Sequence, residues 1–331
     1  MATKMKAAFF RKTGAPDVIE WGDLPLPELK DDDLLVKTTA VALEHVDTYV
    51  RSGKYPLPKN ASLPFIVGHD VVGVVEKVGK NVSDFKPGQR VWSVTLGSNG
   101  LQGTCSEYVV APAFHFFPVP DHVDDLEIIA VAQPGITACL GLIRIAMLKN
   151  NEIIFVNGGG GSVGSALIQL AALRGARVFA STTGQEKIDW CKSCGAELVV
   201  DYKKNDIEKK VRELAPNGVD VFWDTSRQPH FDLSVSLLAF KGRIVIMAGS
   251  GSNPPFPVGP FYLKEGTMRG FALFNADPAE LKGYAEIINR CVQEKCLKYK
   301  IAQVLPLSET AKAHTLLESQ PNLWGKILLK V

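Results

Sequence analysis

The chain has little that would staple it, anchor it or give it a bulk electric field. Six cysteines in 331 residues are too sparse for a disulfide framework, and a chain of this length buries a core without one. They are expected as reduced thiols, which goes with a cytoplasmic location. The net charge is +2, from 37 basic and 35 acidic residues, so no excess of one sign selects nucleic acid or an anionic membrane as partner. No apolar run is expected to reach spanning length, and residues 1–6 lead into a strand-like segment, not a secretory apolar stretch. Cys191 and Cys194 form a CxxC inside a helical pattern closed by Gly195. A zinc or redox CxxC wants a turn and partner ligands, so core or surface thiols are the expectation. No long repeat or low-complexity linker is present, and the length suggests about two domains.

The organising feature is the stretch 152–171. An apolar β-branched run, Ile153-Ile154-Phe155-Val156, enters a glycine turn, and an Ala/Leu-rich helical pattern leaves it. Gly159-x-Gly161-x-x-Gly164 fits the dinucleotide fingerprint in its required strand-turn-helix setting. The first glycine is expected to permit the tight turn, the second to let backbone approach a diphosphate, and the third to let helix and strand pack closely. Gly159, Gly161, Ser162, Val163 and Gly164 are therefore expected at the diphosphate, which the N–H groups and dipole of the helix N-terminus favour.

Around this turn the texture is of two kinds. Residues 6–10, 17–22, 34–43, 65–79, 89–94 and 105–110 read as short strands, with a helical turn at Asp47–Arg51 closed by Ser52-Gly53. Several such strands over residues 1–118 predict a closed or partly closed β-barrel. From about Asp121 strands alternate with helices: 153–157, 177–181, 198–201, 219–224, 243–248 and 268–272 predict an α/β architecture with a doubly wound parallel sheet. A helix is expected over 278–297, and a final strand over 323–331 that returns to the first barrel. The expected domains are residues 1–124, completed by 275–331, and residues 125–274.

An NAD site has an acid about 20 residues past the first glycine, at the end of the second strand. Here that strand, 177–181, runs into Thr182-Thr183-Gly184, and no carboxylate appears before Glu186. Small hydroxyls leave room for a 2′-phosphate, and Lys187 can add charge, with Tyr202 a second candidate. NADP(H) is the expected cofactor. The same pattern suits Lys187 as a solvated helix residue.

With these residues in view, the chain resembles the medium-chain dehydrogenase/reductase superfamily, and within it the zinc-free quinone oxidoreductase (ζ-crystallin-like) branch. The resemblance rests on the run from Val46-Asp47-Thr48-Tyr49 to Gly53-x-Tyr55-Pro56, on Gly68-His69-Asp70 to Gly79, and on Lys86-Pro87-Gly88-Gln89-Arg90-Val91. The glycine turn and Gly325-Lys326-Ile327 complete it. It implies a GroES-like barrel joined to a Rossmann domain, substrate in the cleft between them, and a homodimer formed through the Rossmann sheets. In zinc-dependent relatives a cysteine, a histidine and a second cysteine bind the metal. Glu44, His69 and Gln133 stand at those positions here, so no metal is expected; the branch itself usually carries Asn at position 44. By resemblance, Thr137, near the start of the linking helix, contacts the nicotinamide end. Glu44 and Asp47 are expected to fix the first-domain loop or the nicotinamide ribose, and by resemblance Gly249, Ser250, Phe271, Leu273, Phe274 and Lys326 line the cofactor groove. The implied reaction is hydride transfer from NADPH to a quinone or α,β-unsaturated carbonyl. Tyr49 is the first candidate for the donor that meets the developing oxyanion, followed by Tyr55, His69 and Glu44. Tyr49 is equally compatible with plain packing. Two other readings stand beside this one: a cofactor-binding, crystallin-like or regulatory protein with little turnover, and a zinc-dependent alcohol dehydrogenase.

Overall fold

The computed structural model describes residues 3–57, 61–320 and 323–331. They divide into two compact units: residues 1–133, 285–294 and 299–331 form one, and residues 134–284 and 295–298 the other.

The second unit is built on six parallel strands: β1 (Ile153–Asn157), β2 (Arg177–Thr182), β3 (Leu198–Asp201), β4 (Val219–Asp224), β5 (Leu238–Ile246) and β6 (Thr267–Gly270). Their order is β3-β2-β1-β4-β5-β6, which reverses direction at β1/β4, the switch point where such sheets bind nucleotides. The strands are short and apolar because both faces are covered. Phe155 on β1 pairs in register with Phe179 on β2 and Phe222 on β4, and all three rings are fully buried. Each buried ring contributes roughly 2–3 kcal/mol by area. The helix Ser162–Leu173 returns from β1, with Ala166, Leu167, Ile168, Leu170 and Ala171 buried.

In the first unit, a three-stranded sheet runs in the order Glu20–Pro25, Lys4–Phe10, Phe65–Ile66. A seven-stranded sheet runs Ile301–Pro306, Lys326–Lys330, Asp33–Leu43, Val71–Val78, Arg90–Ser93, Phe117–Pro118, with Tyr108–Pro112 also paired to Asp33–Leu43. Both sheets close on one core that includes Phe10, Val36, Phe65, Val75 and Leu329. The bridge between Ala7 and Ser106 joins them, so the barrel is partly closed.

Several elements differ from expectation. Residues 16–18 form a 3-10 turn, with the strand starting only at Glu20, because Pro16 is pre-set for a helical first position. The strand expected from Cys105 begins at Tyr108; Cys105 precedes it in irregular backbone, its carbonyl accepting from Ala8 N and its N–H donating to the Val67 carbonyl. The helix of 278–297 stops at Gln293. The linking helix, Asp125–Leu140, continues as a π turn through Ile145. These 21 residues are long and apolar enough to cross a membrane, contrary to the expectation that no run reaches that length, and 78% of the most apolar window is buried in the fold. Asp125 and Glu127 at the start of the run disguise its length in the sequence. Thr137 consequently lies toward the end of this helix, not near its start.

Candidate active site

Each unit contributes one set of functional residues. In the second unit the glycine turn lies at the C-terminal end of β1. The left-handed residue is Gly158, at φ +85°, one position before the glycine expected to make the tight turn. Gly159 instead provides close packing: a Cβ there would lie 2.8 Å from Ala180 Cβ and 3.0 Å from Ile168 Cδ1. Gly164 packs as expected, since its Cβ would meet the Gly158 carbonyl oxygen at 2.2 Å. Gly161 is exposed, and a Cβ there would meet only the Gly158 oxygen, at 3.5 Å. Bare backbone therefore faces open space at the start of the helix Ser162–Leu173, whose first N–H groups have no acceptor within the helix. These residues fit a dinucleotide diphosphate.

Asn157, which the sequence reading passed over, ties the turn to its neighbours. Its side-chain oxygen accepts from Ser181 Oγ at 2.6 Å and its amide donates to Asp224 at 3.2 Å. Asp224 also accepts from Ser226 N at 2.7 Å, so its carboxylate caps the turn after β4.

Of the residues expected at a 2′-phosphate, Thr182 and Lys187 meet at this turn. A Cβ on Gly160 would lie 2.5 Å from Thr182 Oγ1 and 3.1 Å from Lys187 Cβ. A carboxylate does stand beside them, on β3 and not on β2: Asp201 pairs in register with Thr182 and is buried. Burial alone would raise it; the Lys203 N–H, the Thr183 hydroxyl, the Lys204 charge and the Gly184 N–H outweigh that and hold it below the usual carboxylate range. Its oxygens are thus spent on anchoring the 182–184 turn, and Tyr202 beside it is exposed. Gly249 has φ +92° and packs on Arg227 and Pro229. Gly249 and Ser250 follow β5, and Phe271 N donates to the Ile246 carbonyl at the end of that strand. Leu273 is buried and Phe274 half-buried, and Thr137 is buried in its helix.

In the first unit, the helix His45–Ser52 begins at Glu44 in a reciprocal capping box with Asp47, whose Oδ2 accepts from Glu44 N at 2.6 Å. The other Asp47 oxygen bonds His69 Nδ1. Asp47 and His69 are buried; Tyr49 is half-buried and packs on Tyr55, ring centroids 5.3 Å apart. The register Ile327↔Leu43 sets Lys326 opposite Glu44. Gly325 makes this approach possible, with φ +112° and the Lys300 carbonyl only 2.8 Å from any Cβ. The Lys326 ammonium contacts Glu44 Oε1, and the Gln133 amide, correctly oriented, donates to Glu44 Oε2 at 2.9 Å. Lys326 was expected along the cofactor groove; the structure seats it on Glu44. Burial draws its ammonium down to about 7. A zinc ion does not fit this arrangement. Two of the three ligand positions carry Glu44 and Gln133, which bond each other, and an ammonium occupies the carboxylate. Among the described residues no group of three or more His, Cys, Asp or Glu side chains is placed to hold a metal. The CxxC thiols are buried and inert: burial first, then Cys194, pushes Cys191 up to about 12, and burial pushes Cys194 to about 11.

A GroES-like sheet unit and a 3-2-1-4-5-6 parallel sheet with its glycine cradle, in one chain, define a medium-chain dehydrogenase/reductase. Residues 30–121 match the alcohol dehydrogenase GroES-like domain family and residues 162–290 the zinc-binding dehydrogenase family. The chain is 31% identical to a quinone oxidoreductase from Sus scrofa, over 98% of this chain and 97% of that protein. It is 33% identical to a chloroplastic NADPH-dependent alkenal/one oxidoreductase from Arabidopsis thaliana, over 76% of this chain and 65% of that one. The solved structure of a mycobacterial protein complexed with NADPH superposes with a TM-score of 0.86 at 29% identity, covering 99% of this chain and 100% of the other. The chain belongs to the zinc-free quinone oxidoreductase branch of the superfamily.

Proposed function

We propose that the protein is an NADPH-dependent oxidoreductase that reduces quinones or α,β-unsaturated carbonyls, as the names of its relatives suggest. The observation that carries the cofactor half is the open backbone at Gly161, with Thr182 and Lys187 packed against the adjacent Gly160 and the carboxylate of Asp201 already engaged. Bound NADPH supplies the hydride. The chain's own residues hold and orient: the Gly158–Gly164 turn presents N–H donors to the diphosphate, Thr182, Thr183 and Lys187 receive the 2′-phosphate, and Gly249, Ser250 and Phe271 to Phe274 flank the groove at the strand ends. Reduction of an enone or quinone leaves an oxyanion, which needs a donor positioned in advance. Glu44, Tyr49, Tyr55 and His69 are the polar groups that the first unit offers from its matched motifs.

The protein acts as a homodimer. Strand β6 is an exposed edge, and Phe240, Val258, Tyr262, Leu263 and Met268 near it are 62, 64, 64, 70 and 45% exposed. An unprotected edge with large apolar side chains calls for a covering partner.

The test is loss of NADPH absorbance with 1,4-benzoquinone, 9,10-phenanthrenequinone and crotonaldehyde in turn. Turnover of at least one, much faster with NADPH than with NADH, is expected. Tight NADPH binding with no turnover of any acceptor supports a cofactor-binding protein instead, and activity with a primary alcohol, NAD and added zinc overturns the metal-free reading.

A further inference from the structure

We propose that Asn157 is the positioning residue of the coenzyme cradle: acting through Ser181, it holds the Gly158 peptide so that the N–H groups of Ser162, Val163 and Gly164 face the diphosphate. The inference rests on the coenzyme half of the reading above and assigns that site the group that keeps it in shape. Every residue involved belongs to the second unit.

Three side chains stand in one row at the C-terminal ends of neighbouring strands. Asn157 on β1 is in register with Ser181 on β2 and with Asp224 on β4; Ser181 and Asp224 are buried and Asn157 is half-buried. The bonds among them run in one direction. Asp224 takes the N–H groups of Ser226 at 2.7 Å and His230 at 3.4 Å, and accepts from the Asn157 amide at 3.2 Å. A carboxylate offers acceptors alone, so it fixes which way that amide faces. Asn157 Oδ1 is thereby turned to Ser181, whose hydroxyl donates to it at 2.6 Å. A serine hydroxyl has one proton. With that proton committed, its lone pairs meet the Gly158 N–H at 3.3 Å, and the Ser181 carbonyl takes the Gly159 N–H at 2.8 Å. From the other side Thr225 holds the Asn157 carbonyl through its hydroxyl, at 2.6 Å, and its N–H, at 3.2 Å.

The consequence falls on the ligand side of the turn. Packing of Gly159 on Ala180 and Ile168 selects the register of the four glycines, but glycines have no side chains of their own to keep it. The N–H groups of Gly158, Gly159 and Gly161 bond to Ser181 or within the turn, whereas those of Ser162, Val163 and Gly164 have no acceptor among the described residues. These three, with the helix dipole behind them, are the donors left for a diphosphate. A Ser181 hydroxyl free to rotate leaves the Gly158 peptide, at φ +85°, without its side-chain bond, and the three donors lose their common aim. Thr182, Thr183 and Lys187, on the 2′-phosphate side, take no part in the chain of bonds, so the two halves of the coenzyme should respond differently when it is cut.

The test is calorimetric titration of wild type, Asn157→Ala, Ser181→Ala and Asn157→Asp with two ligands: NADP+, which has the diphosphate, and adenosine 2′-monophosphate, which lacks it. Asn157→Ala and Ser181→Ala should bind NADP+ about tenfold more weakly and adenosine 2′-monophosphate with less than about a twofold change. Asn157→Asp keeps the shape of the side chain and sets a second carboxylate against Asp224, with the Ser181 hydroxyl on its other side. Two carboxylates in contact retain one proton between them as pH falls, and a protonated carboxyl donates to Asp224 as the amide does. Relative to wild type, this variant should bind NADP+ about tenfold more weakly at about pH 8.5 and regain wild-type affinity toward about pH 5.5, a recovery that Asn157→Ala should lack. Should Asn157→Ala not fold, Asn157→Asp compared with itself across pH decides alone. Equal weakening of both ligands with no recovery in acid, or NADP+ affinity within about twofold of wild type in the Ala variants, overturns the assignment. If the wild type binds neither ligand, the coenzyme reading itself fails and takes this role with it.

Discussion

Acid should weaken the first unit through one residue, His314. It lies on the buried face of the helix Thr310–Ser319, with Thr310 and Ala313. The imidazole is fully buried, and neither ring nitrogen has a hydrogen-bond partner among the described residues. Burial chiefly, opposed by Asp47 and helped by Arg51, brings it from 6.5 down to about 4. The unfolded chain therefore binds the proton more readily than the folded one, and stability is lost as pH falls from about 7 toward 4. At about pH 4.5 the worked difference is roughly 2.5 kcal/mol, a large share of a typical domain's total stability. Asp70 works in the opposite direction: burial first, then Asp47, raises its carboxyl, so its contribution favours the folded state more as pH falls. The subtraction that isolates His314 is against His314→Leu, which removes the titrating group and keeps an apolar filling. Denaturant unfolding of both proteins, followed by tryptophan fluorescence and circular dichroism with coincident transitions, gives the two free energies. Between about pH 7.5 and pH 4.5 the wild type should lose roughly 2.5 kcal/mol more than the variant. Parallel stability curves would refute the buried, neutral imidazole.

Three further outcomes follow from geometry. Lys187→Ala should weaken NADPH by at least about tenfold, the worth of one hydrogen bond to a charged group, and leave NADH nearly unchanged; calorimetric titration with both coenzymes decides, and equal weakening removes the phosphate role. Gly141→Ala should destabilise by about 3 kcal/mol or more, because the new methyl would lie 1.8 Å from a ring carbon of Trp223, which is fully buried; an unchanged melting temperature would contradict this packing. Met268→Lys with Tyr262→Glu should convert dimers to monomers by light scattering, and a wild type that is itself monomeric overturns the edge-to-edge assembly.

The periodicities that specify the parallel sheet are local, and all six strands of the second unit lie where the residue pattern puts them, to within a few residues. The glycine turn was equally legible as a motif, yet the strained position fell on Gly158 because four consecutive glycines offer several registers and only tertiary packing on Ala180 and Ile168 chooses among them. Asp201 escaped notice because an acid was sought along the second strand, whereas the register with Thr182 brings one across from the third. Lys326 and Glu44 are 282 positions apart in number, and nothing short of the strand register joins them. Glu44 and Gln133 drew attention separately, as departures at ligand positions; their bond to each other is a fact of folding.

That strand register also has a consequence for the order in which the protein becomes competent. A nascent chain that has emerged as far as residue 320 already contains every residue of the dinucleotide cradle, while the ammonium is still missing. Synthesis of the strand Lys326–Lys330, and its insertion beside Asp33–Leu43, supplies the Glu44 partner. Cleavage ahead of Lys326 would remove a strand that is paired on both sides and whose Ile327, Leu328 and Leu329 are buried, and so would open the seven-stranded sheet of the first unit.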